Sequence, residues 1–351
     1  MADLELSSLR LRWPRDLFVS EAEELLQDPF TARGLWLLAR AFVGDDALDA
    51  ALEGGDQAVL RLLVRDIDSI RDEYERRPLF SERHGRSRQQ PAPGLGWAKE
   101  EVAKLAIRYY RTGALGRELQ PSCPDDRTND GDPSAALYRL TGLEGLWPLG
   151  RSLREHDDDA FFDVLEALDG LVVMPRRRDR HGYASCNWHY GDFSRQLGQR
   201  VYRFEVNQIL TFADVPYRLA ESGEDAGTIV TTGGDDLAPL LEWGAAQQGI
   251  EAGEVCHSVS LFRSRGATPE EKRSAVVSLA RVLEQHRRLL KTELRRDEAD
   301  LFNIANNFDI RHSRDGQQGD YDPVFLDWVF WWYLATIELL NRLLERQGSA
   351  D

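Results

Sequence analysis

The chain has 351 residues, of which 42% are hydrophobic and 9% aromatic, and this composition excludes a globally disordered protein. Its 44 basic and 60 acidic residues give a net charge of −16, which opposes general attraction to phosphate backbones or anionic membranes. Three widely spaced cysteines argue against a disulfide framework, and no apolar run is long enough to span a membrane. Without a signal-peptide pattern, the expected location is the cytoplasm.

Residues 1–130 are predicted to form an N-terminal helical region. Apolar residues recur at intervals of three and four from Ser20 to Tyr74, and Ala98–Tyr110 repeats this helical period. Between them, residues 76–96 are basic and then rich in proline and glycine, which predicts an exposed loop. A basic arm that touches nucleic acid is the alternative, but no aromatic residues are interleaved with its charges.

Residues 131–235 are predicted to form a small α+β module. Ser134–Gly170 has the pattern of two helices, and it is followed by a basic patch at Arg176–His181. The patch could face a phosphate, although a neighbouring acidic surface such as His156–Asp159 is the preferred partner.

The same region ends in a helix and a hairpin. Phe193–Ala213 has helical spacing, and the segments 216–219 and 228–231 flank a turn that contains Gly223. A helix followed by a hairpin outlines a winged-helix-like module, a fold that binds nucleic acid in some proteins and other proteins in others.

Residues 236–351 are predicted to form a helical bundle. Thr268 and Glu271 form a capping signature around Pro269, and a long apolar stripe follows them. Further on, 301–312 (LFNIANNFDIRH) leads through a polar connection to the final helix, 325–344. This helix is apolar on two faces, which predicts burial of both. Core packing accounts for one face, and a homodimer or another partner is expected to cover the other.

These C-terminal patterns resemble the HEPN-like modules of prokaryotic abortive-infection (AbiJ-like) defence proteins. The resemblance rests on 278–284 (SLARVLE), LFNIANNFDIRH, 317–322 (QQGDYD) and the aromatic final helix. The winged-helix-like stretch resembles the domain that precedes such modules, so the resemblance covers residues 185–347. It implies an antiparallel helical bundle that dimerises, and many members of that family are metal-independent ribonucleases.

The family's signature is an arginine followed four to six residues later by a histidine. The resemblance implies that the arginine binds the phosphate through forked hydrogen bonds, that the histidine transfers protons and that the RNA 2′-hydroxyl is the nucleophile. In this chain Arg311 and His312 are adjacent. They are nevertheless the candidate catalytic residues, with Asn307 orienting them, and they would converge only if the helix ends near Ile310. In the alternative interpretation Arg311 pairs with Asp309, Asp320 or Asp322 and the site is structural.

No metal and no cofactor are predicted. His181, Cys186 and His189 lie close together in sequence, and Cys256–His257 could complete a ligand set across space, but structural zinc needs four ligands and ordinary packing is the preferred interpretation. P-loop, dinucleotide and nucleophile-elbow motifs are missing from the sequence.

The sequence thus predicts a mainly α protein with a small α+β module. The predicted function is that of a cytoplasmic antiviral or abortive-infection protein that acts on RNA, with metal-independent endoribonuclease as its candidate activity. The alternative is a noncatalytic interaction or regulatory subunit of a defence complex. The expected partners are a second copy of the chain through its C-terminal helices, RNA and a defence-system protein, with no membrane association.

Overall fold

The computed structural model describes residues 6–27, 34–43, 46–73, 75, 80–84, 92–116, 119, 132–182, 187–233, 237–247, 250–295, 297–307 and 322–348. They are mostly helical, with small two-stranded sheets, so the mainly α prediction is confirmed. The chain divides into two compact units, Met1–Val215 and Pro216–Asp351.

The first unit contains ten α-helices and four strands among the described residues. The helices are α1 (Arg15–Gln27), α2 (Leu35–Ala39), α3 (Asp46–Glu53), α4 (Gln57–Arg65), α5 (Phe80–Arg83), α6 (Gly94–Arg111), α7 (Pro133–Thr141), α8 (Leu149–Glu155), α9 (Asp158–Leu171) and α10 (Arg195–Phe212). The strands are β1 (Arg10–Leu11), β2 (Arg71–Asp72), β3 (Met174–His181) and β4 (Asn187–Ser194). Strands β1 and β2 pair in parallel, and β3 and β4 form an antiparallel hairpin.

One hydrophobic core of the first unit is built around α2, whose five residues are all buried. Side chains from α1, α3 and α4 surround it, because their apolar residues fall on one face at helical spacing. Met174 of β3 and Leu197 and Val201 of α10 join the same core. Helix α10 approaches the chain before β3 so closely that a Cβ on Gly198 would lie 2.5 Å from the Val173 backbone.

The second unit contains the hairpin of β5 (Tyr217–Leu219) and β6 (Ile229–Thr231) and six described helices. These are α11 (Ala238–Ala245), α12 (Ile250–Arg263), α13 (Pro269–Gln285), α14 (Arg287–Leu294), α15 (Asp297–Asn307) and α16 (Val324–Gly348). Helices α12, α13 and α16 pack around one core, in which the rings of Phe262 and Phe330 are stacked 3.6 Å apart. The capping box predicted at Thr268 and Glu271 is present at the start of α13.

The predicted helix and hairpin of the α+β module are both present, as α10 and β5–β6. The boundary between the compact units falls between them, at Val215 and Pro216. Their grouping into one winged-helix-like module, and the division at residues 130 and 235, stay predictions. The hairpin of β3 and β4 is a feature that the sequence pattern missed, since β3 is dominated by arginine; the only signal was the alternation of Trp188 and Tyr190 in β4.

Candidate functional site

The predicted catalytic residues fall at the edge of the described structure. Arg311 and His312 lie outside the described residues, and so do Asp309, Asp320 and the end of the helix expected near Ile310. Asn307 is the last residue of α15, and its side chain is also outside the description. The geometry of this trio therefore stays a prediction.

The helices on either side of residues 308–321 are fixed to the core of the second unit. The Tyr333 hydroxyl of α16 is buried and donates a hydrogen bond to the Leu301 carbonyl oxygen of α15 over 3.0 Å. The Arg287 guanidinium donates to the buried Glu298 over 2.6 Å and lies 4.6 Å from the centre of the Phe302 ring. These contacts hold α15 against α14 and α16.

Helix α16 has the two apolar faces that the sequence predicts. One face is buried in the core of its unit; it contains Leu326, Phe330, Tyr333, Ile337 and Leu340. The other face is exposed in the single chain, where Phe325 is 41% and Trp328 50% exposed. On this face the rings of Trp328 and Trp332 are stacked with their centres 5.6 Å apart.

Arginine side chains contact aromatic rings where the β3–β4 hairpin meets α2 and its C-cap residue, Arg40. The Arg178 guanidinium lies 4.5 Å from the centre of the Trp36 ring and 4.3 Å from that of Trp188. Arg40 lies 4.6 Å from the Trp36 ring and 5.5 Å from the Tyr190 ring. We call these five residues the arginine–aromatic stack. Contacts of this kind are favourable because a cation is attracted to the negative face of a ring.

The basic patch at Arg176–His181 is the polar part of β3. The patch contacts acidic side chains, as predicted, but these are not the residues 156–159 that the sequence suggested. Arg176 pairs with Glu21 and Glu24 of α1, and Arg178 pairs with Glu53 of α3 over 2.7 Å. Arg177 contacts Asp179 and Asp192 of the hairpin itself.

Glu205 of α10 is the centre of a buried polar cluster in the first unit. Its carboxylate accepts hydrogen bonds from the Tyr109 hydroxyl over 2.6 Å and from Arg108 over 2.5 Å, and Arg12 Nε lies 3.7 Å away. Burial raises the pKa of Glu205 above its ordinary value, although both arginines and the Tyr109 hydrogen bond oppose this rise. Burial, together with the Glu205 carboxylate, also raises the pKa of Tyr109.

The described residues contain no group of three or more His, Cys, Asp and Glu side chains that could hold a metal ion. Cys186 and the side chain of His181 lie outside that description. Cys256 Sγ lies 3.4 Å from the Ala245 carbonyl oxygen, and burial raises the pKa of its thiol. His257 contacts Glu224 over 3.2 Å.

Among the described helices, none is both long and apolar enough to cross a bilayer. Comparison of the chain with known protein families, curated proteins and solved structures finds no match. The function is therefore inferred from the residues and their geometry.

Proposed function

We propose that this protein is a component of prokaryotic antiviral defence that acts on RNA. In this proposal residues 236–351 form a HEPN-like bundle, and α10 with β5–β6 belongs to the winged-helix-like module before it, residues 131–235. Arg311 binds the phosphate, His312 transfers protons and Asn307 orients them, so that RNA is cleaved without a metal. The protein would then work in the cytoplasm, where its substrate is.

The observation that carries the RNA part of the proposal is the arginine–aromatic stack. Proteins bind single-stranded RNA by stacking bases on aromatic side chains beside arginines. The Trp188 side chain is 37% exposed, and the Arg178 guanidinium packs against its ring. Arg180 lies opposite Trp188 in the hairpin register, is exposed and has no ion pair among the described residues. This hairpin therefore offers a local basic and aromatic surface on an acidic protein.

RNA binding is tested with a fluorescently labelled single-stranded RNA. We expect Trp188→Ala to weaken its binding by about tenfold, since stacking of one base contributes on the order of 1–3 kcal/mol. The matched control is Tyr138→Ala, which removes a 51% exposed aromatic ring from the same unit. Equal affinities of the two variants, both with wild-type unfolding curves, would remove the hairpin from the proposal.

Cleavage is tested separately with total RNA in EDTA. We expect the wild-type protein to cleave and the Arg311→Ala/His312→Ala variant to lose activity while it keeps its melting temperature. Cleavage retained by the double variant would show that these residues are not catalytic. No cleavage by a folded wild-type protein, even with extract from infected cells, would exclude the ribonuclease.

The second candidate function is a noncatalytic interaction or regulatory subunit of a defence complex. The open face of α16 favours it, because exposed tryptophan and phenylalanine side chains on one helix are typical of surfaces that associate. In this candidate a second copy of the chain covers that face. RNA would be neither cleaved nor bound, while self-association through α16 would be retained.

A further inference from the structure

A cavity of about 90 Å³ lies in the first unit, and Glu205 and Tyr109 are part of its lining. Three arginines line it, Arg12, Arg40 and Arg108, together with apolar side chains that include Trp13, Met174 and Val201. The side chains of Arg12 and Arg108 are 17% and 33% exposed, so this part of the cluster is within reach of solvent.

Two of the three arginines have carboxylate partners. Arg12 pairs with Glu73 over 2.9 Å, and Arg108 pairs with Glu205. Arg40 makes ring contacts with Trp36 and Tyr190 and donates a hydrogen bond to the Tyr190 hydroxyl, while its Nη1 is enclosed without a hydrogen-bond partner among the described residues. Arg178, whose charge also acts on Arg40, is paired with Glu53. Three guanidinium groups thus face two carboxylates, Glu73 and Glu205, which leaves one positive charge in excess.

Water in the cavity would satisfy the free hydrogen-bond donor of Arg40 but would not balance the excess positive charge. A cavity of this size has room for about three water molecules, at roughly 30 Å³ each. Water can accept the Arg40 hydrogen bond, but it leaves the excess charge in surroundings that solvate ions poorly. Burial lowers the pKa of Arg40 to about 10, so the group still carries its charge at neutral pH. A bound anion would satisfy the hydrogen bond and balance the charge.

We propose that this cavity is a binding site for a small oxyanion, held by the Nη1 of Arg40 and by the neighbouring guanidinium groups of Arg12 and Arg108. Phosphate and carboxylate groups both match the forked donors of arginine. The apolar wall formed by Trp13, Met174 and Val201 leaves room beside the charged end for the short carbon chain of an organic acid. The site shares Arg40 with the arginine–aromatic stack, but the proposed binding of an oxyanion in the cavity does not rest on the proposed action on RNA.

The site is tested by isothermal titration of the full-length protein at pH 7 and constant ionic strength. Inorganic phosphate is one ligand, acetate is the second, and chloride is the control for general ionic effects. We expect saturable binding of one phosphate or one acetate per chain, and no binding of chloride. Tighter binding of acetate would identify an organic acid as the ligand type, and tighter binding of phosphate would identify a phosphate group.

Arg40→Met is the test variant, because methionine keeps much of the apolar stem and removes the donor. We expect it to weaken binding by about tenfold or more, since a hydrogen bond to a charged group is lost. Arg151→Met is the matched control, as Arg151 is exposed on α8 of the same unit. Equal binding by both variants would overturn the proposal.

The proposal can still be tested if Arg40→Met does not fold. In that case the wild-type titrations decide alone. An absence of saturable binding for both oxyanions, or equal binding of chloride, would overturn the proposal. Saturable oxyanion binding that also raises the melting temperature of the wild-type protein, with chloride inactive, would support it.

Discussion

Arg263 and Asp225 form an ion pair with two hydrogen bonds inside the second unit, Nε to Oδ2 over 2.7 Å and Nη2 to Oδ1 over 2.5 Å. Arg263 is the last residue of α12, and Asp225 lies in the turn between β5 and β6. Arg263 is 1% exposed and also donates to the Ser222 carbonyl oxygen over 3.1 Å. This pair fixes the hairpin to the helical core.

Removal of the Asp225 carboxylate should be strongly destabilising. Asp225→Ala leaves a buried guanidinium without its main counter-charge, so we expect a loss of about 3–5 kcal/mol in the free energy of unfolding. Urea denaturation measures it. The control is Arg342→Ala, which breaks an exposed pair with Glu338 one helical turn away and should cost about 0.5 kcal/mol or less. Similar losses for both would mean that the buried pair contributes little.

Gly198 should resist a substitution that normally favours helices. Alanine stabilises an exposed helix interior by about 0.5–1 kcal/mol relative to glycine. In α10, however, the added Cβ would lie 2.5 Å from the Val173 backbone, which cannot rotate away. We expect Gly198→Ala to lower the melting temperature. Gly96→Ala in α6 is the control, because nothing lies within 4 Å of its new Cβ, and it should leave the melting temperature equal or higher. A stabilised Gly198→Ala would contradict this contact.

Glu205 should make the stability of the first unit depend on pH. Burial raises its pKa above the ordinary 4.5, so the folded state binds this proton more tightly than the unfolded state. The stabilisation that comes from this tighter proton binding is fully present below about pH 4.5, and it is lost as the pH rises through the folded-state pKa of Glu205. We expect the unfolding free energy of the wild-type protein to fall relative to that of Glu205→Gln from pH 4.5 upward. Denaturant titrations across this range measure the difference. If the wild-type protein instead became more stable than Glu205→Gln as the pH rises, the effect of Arg108 on the pKa of Glu205 would be larger than that of burial.

Thr268 should stabilise the start of α13. Its hydroxyl accepts a hydrogen bond from the Glu271 backbone N–H over 3.2 Å, and the Glu271 carboxylate accepts one from the Thr268 N–H over 2.7 Å. We expect Thr268→Ala to cost about 1 kcal/mol in unfolding free energy and Thr268→Ser to cost much less, since serine keeps the hydroxyl. Denaturant unfolding of the three proteins measures both values. Equal losses for alanine and serine would mean that the hydroxyl is not the stabilising group.

The open face of α16 should control self-association. We expect the wild-type protein to be a dimer by light scattering at micromolar concentration, and Phe325→Ser/Trp328→Ser to shift it to the monomer. Leu140→Ser is the control, because Leu140 is 53% exposed on α7 of the other unit, and it should leave the dimer unchanged. A monomeric wild-type protein would count against the homodimer.

Local patterns in the sequence predicted much of the secondary structure. The period of the apolar residues predicted α6, α10 and α16, and the capping box was predicted at Thr268, because helix periodicity and helix caps depend on residues a few positions apart. The two apolar faces of α16 were also evident from spacing alone. Residues near one another in the chain determine these features.

The tertiary structure decided which distant residues meet. Asp225 was predicted only as part of a turn, yet its buried partner is 38 residues away in α12. In the sequence the arginines of β3 were evident only as a basic patch. The fold brings Arg178 against the rings of Trp36 and Trp188 and pairs it with Glu53. The cavity beside Arg40 combines side chains from across the first unit. Such contacts depend on long-range packing, which the spacing of residues along the chain does not encode.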